Sequence, residues 1–305
     1  MKAFFLFLST SPTARKLLSS PRLCSGLIQR FIAGNHLPEA LETGRRLNSQ
    51  SIWVTMNRLG EGVEDRATAE STARFYHEMA DGIRSGKVQG TLALKPTQVG
   101  LAVDRELCRS LVMEIARKAD SLGNTLEVDM EASAYTEATL DIYKSVLKIF
   151  PKTRLAIQAY LHRTESDLEE LRKLGARIRL VKGTYREPKS VAVQSNREVN
   201  RKFMRLTEWV LKEFDCPAIG THNEEMQNHA LEVIRREKLS PERYEFQFVY
   251  GIRRDIVEQR VKEGHRVRVY TPYGSEWYPY FMRRLAERPA NVWFVVKNVV
   301  REAFS

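Results

Sequence analysis

No stretch of the 305-residue sequence approaches the roughly 18 consecutive apolar residues of a membrane-spanning helix, which excludes an integral helical membrane protein. Cysteine is scarce: Cys24, Cys108 and Cys216 stand far apart, in odd number and without a CxxC pair. That excludes a disulfide framework or a thiolate zinc site and fits buried thiols in a reducing compartment. There is no GxGxxG and no GxxxxGK[ST], so the usual phosphate loops of dinucleotide and P-loop folds are missing. HExxH and GxSxG are missing too, and His222 and His229 lie seven apart, so no metal site and no serine-hydrolase elbow is expected.

Acidic residues are absent from residues 1–38, which hold Lys2, Arg15, Lys16, Arg22 and Arg30. A secretory signal fits poorly, because the apolar run in MKAFFLFLST is short and Pro12 follows it. The favoured reading is a basic helical arm that packs on the domain or lies on an anionic membrane surface, its apolar face supplied by Leu17, Leu18, Leu27, Ile28, Phe31 and Ile32. A transit peptide is the alternative. The formal net charge of +11 raises the question of nucleic acid. Its basic residues are interleaved with acids, as in ELRKLGARIR and EVIRREK, so no basic stripe forms and no nucleic-acid partner is expected.

What is present is a regular alternation. Strand-like segments at 51–59, 91–95, 126–130, 154–160, 177–183, 217–222, 244–250 and 266–272 are separated by helical patterns at 67–84, 104–122, 136–149, 165–174, 196–214, 223–237 and 253–263. A last amphipathic helix is expected over 276–287. Alternating strands and helices make a parallel sheet, and eight strands are the number that closes a (β/α)8 TIM barrel. A doubly wound open sheet is the other arrangement. The expected organisation is an N-terminal helical arm at 1–45 and a barrel domain at 46–305.

The active site of such a barrel lies at the carboxyl ends of its strands. Those ends carry Lys95, Asp129, Glu131, Gln158, Arg179, Lys182, Tyr185, Thr221, His222, Asn223, Gln247, Val249, Tyr270 and Tyr273. The rim is polar, cationic and aromatic, and Lys95, Arg179 and Lys182 suit an anion. EWYPYFMRRLAERP (276–289) adds Tyr280 and the adjacent Arg283 and Arg284, three and four residues on. These share a helix face and supply forks suited to a carboxylate. With no metal cluster and no obvious nucleophile, redox chemistry on an organic cofactor is the expectation.

LALKPTQVGL, VDMEAS, AIQAYLHRT, RLVKGTYREP, GTHN, YEFQFVYG and RVYTPYGSEWYPYFMRRLAERPAN resemble, in order, the signature blocks of proline dehydrogenases of the short monofunctional bacterial form. The resemblance implies a distorted (β/α)8 barrel with its last helix lying over the site. It implies FAD as cofactor and oxidation of L-proline to Δ1-pyrroline-5-carboxylate, with electrons passed to a membrane quinone. Lys95, Arg283 and Arg284 then match the carboxylate clamp, Asp129 the acid that orders it, and Tyr270, Tyr280 and Val249 the walls around the proline ring. Gln158, Arg179, Lys182, Gly183, Thr184, Tyr185, Thr221, His222, Asn223, Gln247, Arg284 and Glu287 match positions that contact FAD or support those contacts. Thr184 and Val249 depart from the small apolar residue and the leucine usual there. The resemblance further implies a cytoplasmic enzyme held peripherally at the inner membrane, or at the mitochondrial inner membrane if residues 1–30 are a transit peptide. A separate pyrroline-5-carboxylate dehydrogenase is the implied partner.

Overall fold

The structure, a computed structural model, describes residues 29–60 and 62–281. Eight strands close into a parallel barrel in sequence order, β1 pairing with β8. They are β1 (Trp53–Arg58), β2 (Gly90–Leu94), β3 (Leu126–Val128), β4 (Arg154–Gln158), β5 (Arg177–Val181), β6 (Ala218–Gly220), β7 (Glu245–Val249) and β8 (Val267–Tyr273). All eight coincide with expected strands. The segment expected at 217–222 is halved, to Ala218–Gly220, and the one expected at 126–130 pairs only as far as Val128.

The helices are α1 (Leu37–Asn48), α2 (Arg66–Ser85), α3 (Arg105–Ser121), α4 (Thr136–Leu147), α5 (Thr164–Lys173), α6 (Asn196–Glu213), α7 (Glu224–Arg236) and α8 (Arg254–Lys262). Several start where a short polar side chain can satisfy the free N–H groups of the first turn. Asp65 accepts from Thr68 N at 2.9 Å, Asp104 from Glu106 N at 2.8 Å, and Asn223 from Met226 N at 3.1 Å. Each buries one stripe. In α2 it is Ala69, Ala73, Tyr76, Met79, Ala80 and Ile83, and burial of a side chain such as Met79 or Ile83 contributes about 1.5–3 kcal/mol.

The two faces of the strands are chemically opposite. Val54, Met56, Leu92, Leu94, Leu155, Ile157, Ile178, Leu180, Phe246, Phe248, Val267 and Val269 form the core under the helices. The alternate positions line the barrel lumen and are polar: Thr55, Thr91, Glu127, Arg154, Arg179, Glu245, Gln247 and Arg268 are all buried. The usual filling of such a barrel is branched aliphatic side chains.

The seam between β8 and β1 is covered by α1, which precedes the barrel in the chain and packs on both strands. The segment before α1 is tied to the barrel as well. Ala33 N donates to Pro272 O at 2.8 Å, Gly274 N donates to Gly34 O at 3.0 Å, and a Cβ at Gly251 would lie 1.8 Å from Arg30 O. Residues 277–281 begin a further helix, with Phe281 edge-on to Phe31 at 6.2 Å. Cys108 and Cys216 are free and buried; Cys24 and most of the expected basic arm lie outside the described residues.

Candidate active site

A polar lumen must satisfy every charge it buries, and this one does so with a ladder of ions. Three carboxylates, Glu127, Asp129 and Glu245, face three guanidiniums, Arg154, Arg179 and Arg268. At the amino-terminal end Arg268 Nε donates to Glu245 Oε1 at 2.9 Å, and Arg154 Nη1 bridges Glu245 and Glu127. In the middle Arg179 Nη1 donates to Glu127 Oε2 at 2.9 Å, and Gln247 Nε2 donates to Glu245 Oε1 at 2.7 Å. At the carboxyl-terminal end Arg179 Nη2 pairs with Asp129 Oδ1, and Tyr270 OH donates to Asp129 Oδ2 at 2.6 Å. Small neighbours make room: Arg179 lies in register between Ala156 and Ala218.

The ladder sets the protonation states. Burial opposes charge on Glu127, but Arg154, Arg179 and Arg268 together hold its carboxyl below the usual range. Burial likewise opposes the Arg179 charge, yet Asp129 and Glu127 keep that group firmly protonated. Burial, then the Asp129 carboxylate, push the Tyr270 hydroxyl well above its ordinary value, so it stays a donor. The Arg179 guanidinium also lies 5.4 Å from the centre of the Tyr270 ring. Asp129, Arg179, Gln247 and Tyr270, read from separate strand ends, are therefore one hydrogen-bonded unit.

The other expected residues surround this unit. Gln158 Nε2 donates to the carbonyls of Met130 and Glu131 at 3.2 and 3.3 Å, while its Oε1 is buried without a hydrogen-bond partner. Lys95 is half-buried just past β2 and forms no ion pair among the described residues. Glu131 turns away to accept from Thr97 N and Oγ1 at 3.0 and 2.7 Å. Lys182 Nζ donates to Asn200 Oδ1 at 2.8 Å, and burial pushes its ammonium below the usual lysine value. Val249 N donates to His222 Nε2 at 2.9 Å, which leaves Nδ1 as the protonated nitrogen of the neutral ring. Thr221 Oγ1 accepts from Asn223 N at 3.2 Å, and Asn223 in turn caps α7. Thr184 and Tyr185 are exposed on the loop after β5. Tyr280 is buried in the helical turn after β8; Arg283, Arg284 and Glu287 lie outside the described residues.

Gly183 has φ +101°, and a Cβ there would sit 2.2 Å from the Tyr160 ring, so glycine is required where the chain leaves β5. Glu127, Arg154, Glu245 and Arg268 were not among the residues expected from sequence. The available signal was their spacing: each lies an even number of residues before an expected lumen residue on its own strand, Asp129, Gln158, Gln247 and Tyr270 respectively.

Residues 40–297 match the sequence model of a family described as Proline dehydrogenase. Proline dehydrogenase 1 of Bacillus subtilis (strain 168) is 33% identical over 302 residues, 99% of this chain and 100% of that protein. Proline dehydrogenase 2 of the same strain is 34% identical over 301 residues, 98% of each. Among solved structures, proline utilization A from Bdellovibrio bacteriovorus inactivated by N-propargylglycine superimposes with a TM-score of 0.82 at 20% identity, over 90% of this chain. The chain spans 34% of that longer protein, and at this identity the likeness is one of fold.

Proposed function

The chain belongs to the proline dehydrogenase family, which catalyses the first step of proline catabolism, and from that premise we propose that it oxidises L-proline to Δ1-pyrroline-5-carboxylate with FAD. The observation that carries this reading is the Asp129–Arg179–Tyr270 unit at the carboxyl end of the barrel. The surrounding residues fit a flavin by their own chemistry. The unpartnered amide oxygen of Gln158 suits a ligand N–H, and Gly183 keeps the backbone free of a side chain beside Lys182. Gln158, Arg179, Lys182, Gly183, Tyr185, Thr221, His222, Asn223, Gln247, Arg284 and Glu287 would hold the cofactor, with Thr184 beside them. FAD, when bound, supplies the hydride acceptor.

The protein's own residues bind and orient the substrate. Lys95, Arg283 and Arg284 hold its carboxylate, which fixes the ring before reaction. Tyr270 cannot swing freely, because Asp129 holds its hydroxyl; with Tyr280 and Val249 it forms a wall that excludes water from a small apolar ring. Arg179, fixed by Asp129 and Glu127, presents permanent positive charge at the carboxyl end of the lumen. Electrons pass on to a membrane quinone. The proposed membrane contact, on the inner face of the cytoplasmic membrane, is peripheral; among the described residues no helix is long and apolar enough to cross a bilayer. A separate pyrroline-5-carboxylate dehydrogenase would consume the product.

The test is the visible spectrum of the purified protein before and after anaerobic L-proline. A flavin band that bleaches is expected. A flavin band unmoved by proline, or a protein that stays colourless after incubation with FAD, would overturn the reading. Within it, Arg284→Met is expected to raise the proline KM at least about tenfold, as loss of one charge-assisted contact of about 1.5–3 kcal/mol requires. Steady-state kinetics checks this, and an unchanged KM would remove Arg284 from the clamp.

Gly183→Ala is expected to lower stability by more than about 1–3 kcal/mol, since left-handed strain and the Tyr160 contact add. It should also purify with little flavin. Thermal melts and the 450 nm absorbance check both, and the double variant with Tyr160→Ala should recover part of the stability by removing the collision.

A further inference from the structure

The ion ladder has a second end. Below Arg154 and Arg268, at the amino-terminal mouth of the barrel, lies a cavity of about 800 Å³. We propose that this mouth binds a soluble, multiply charged phosphate-bearing anion, held by Arg84, Lys87, Lys152 and Arg266 over the two buried arginines.

The charge inventory of the mouth is one-sided. Two carboxylates line it, Glu127 and Glu245, and both are already committed to lumen arginines. Arg177 is neutralised by Asp215 at 2.6 Å. Arg84, Lys87, Lys152 and Arg266 form no salt bridge among the described residues; Glu242 acts on Arg266 only from beyond ion-pair distance, so four cations converge on a hollow whose lining offers no uncommitted carboxylate. Such crowding raises the local potential and favours an anion of several charges. Arg266 is held in place by Trp53, its guanidinium 5.2 Å from the indole centre, and Arg268 lies 5.1 Å from the same ring. Arg154 Nε is buried without a hydrogen-bond partner, so the guanidinium at the floor has donor capacity unspent.

The backbone is unusual at the same place. Lys87 and Cys216, both on the lining, are non-glycine residues with positive φ, 52° and 45°. The Cys216 conformation lets its carbonyl accept from Arg154 Nη2 at 3.1 Å. Strained residues that persist are held by their surroundings and gather at binding sites.

The shape selects the class of ligand. The volume lies within the range of small-molecule sites, and Arg154 and Arg268 are only 5% and 3% exposed at its floor. A flat bilayer of anionic headgroups reaches the rim but not that floor, so a free phosphate compound fits and a membrane does not.

The experiment is calorimetric titration of the purified enzyme with inorganic pyrophosphate at constant ionic strength. Saturable binding at one site per chain is expected, weakened at least tenfold in Arg84→Glu/Lys152→Glu, whose two positions are exposed. Circular dichroism establishes that the variant is folded; the milder Arg84→Gln/Lys152→Gln pair serves if it is not. Absence of saturable binding to the unsubstituted protein, or equal binding by the folded variant, would overturn the proposal. So would binding to phosphatidylglycerol vesicles that pyrophosphate fails to compete away, because it would assign these cations to a membrane surface.

Discussion

Glu127→Gln is expected to cost about 3–5 kcal/mol of folding stability, the range for removing one partner of a buried ion network. The loss exceeds that of an ordinary pair because Glu127 is the hub of the ladder. It accepts from Arg154, Arg179 and Gln247, and from Thr55 and Thr91 at 3.3 Å. The amide keeps the shape but removes the charge, leaving three guanidiniums with two carboxylates. For a chain of this length the melting temperature should fall by roughly 6–12 °C, at about 2 °C or slightly more per kcal/mol. A differential scan checks the number, and a shift of less than about 2 °C would mean that the ladder is not the electrostatic unit described.

The same residue gives a pH signature. Its folded-state carboxyl lies below the usual glutamate value of about 4.5, as does that of Glu245. A group depressed on folding contributes stability above its unfolded value and loses it as the pH falls through the folded one. The unsubstituted protein should therefore lose stability steeply below about pH 4.5, and Glu127→Gln should show a shallower slope. Urea midpoints between pH 3 and pH 7 measure it.

Much of this was legible in the sequence, and the exception has one physical cause. The strands were found from short apolar runs punctuated by Pro, Gly and Asn, which mark elements regardless of what a barrel encloses. Helix starts at Arg105 and Glu224 follow from Asp104 and Asn223, local caps that need no tertiary knowledge. The residues that unite as Asp129, Arg179, Gln247 and Tyr270 were legible because strand ends are where a barrel does chemistry. Glu127, Arg154, Glu245 and Arg268 were not, because a charge in the first half of a strand reads as solvent-facing when a barrel interior is assumed aliphatic. Strands such as RIRLV and EFQFV alternate charged or polar with apolar residues through their first four positions, and both faces are buried at the centre of each strand. Only three-dimensional pairing shows that the charges cancel. That cancellation also changes the meaning of Arg179: it is no free rim cation but one held between two carboxylates. The helix α1, Leu37–Asn48, falls mostly within the helical arm expected at 1–45, but its place at the β8–β1 seam is set by packing and not by any local signal.

If the ladder holds Arg179 and Tyr270 for catalysis, Asp129→Ala is expected to lower kcat/KM for L-proline by about 30- to 900-fold, the equivalent of about 2–4 kcal/mol. Asp129 accepts from both groups at once, so its removal frees the Tyr270 ring and leaves Arg179 with Glu127 and Gln247 alone. Tyr270→Phe removes one of those contacts and keeps the ring, so a smaller loss is expected, about 1–2 kcal/mol or 5- to 30-fold. The double variant separates positioning from mere packing. If Asp129 acts partly by holding the Tyr270 hydroxyl, then in an Asp129→Ala background Tyr270→Phe should cost almost nothing further, a coupling of about 1 kcal/mol or more. Fully additive losses would mean that the two residues act independently, and Asp129 would then serve through Arg179 alone. Stability sharpens the distinction. Asp129 lies at the open end of the ladder, 8% exposed against 1% for Glu127, so its removal should disturb folding less than Glu127→Gln does. A variant pair in which Glu127→Gln chiefly lowers the melting temperature, while Asp129→Ala chiefly lowers kcat/KM, would divide the lumen into a structural half and a working half along a single chain of hydrogen bonds.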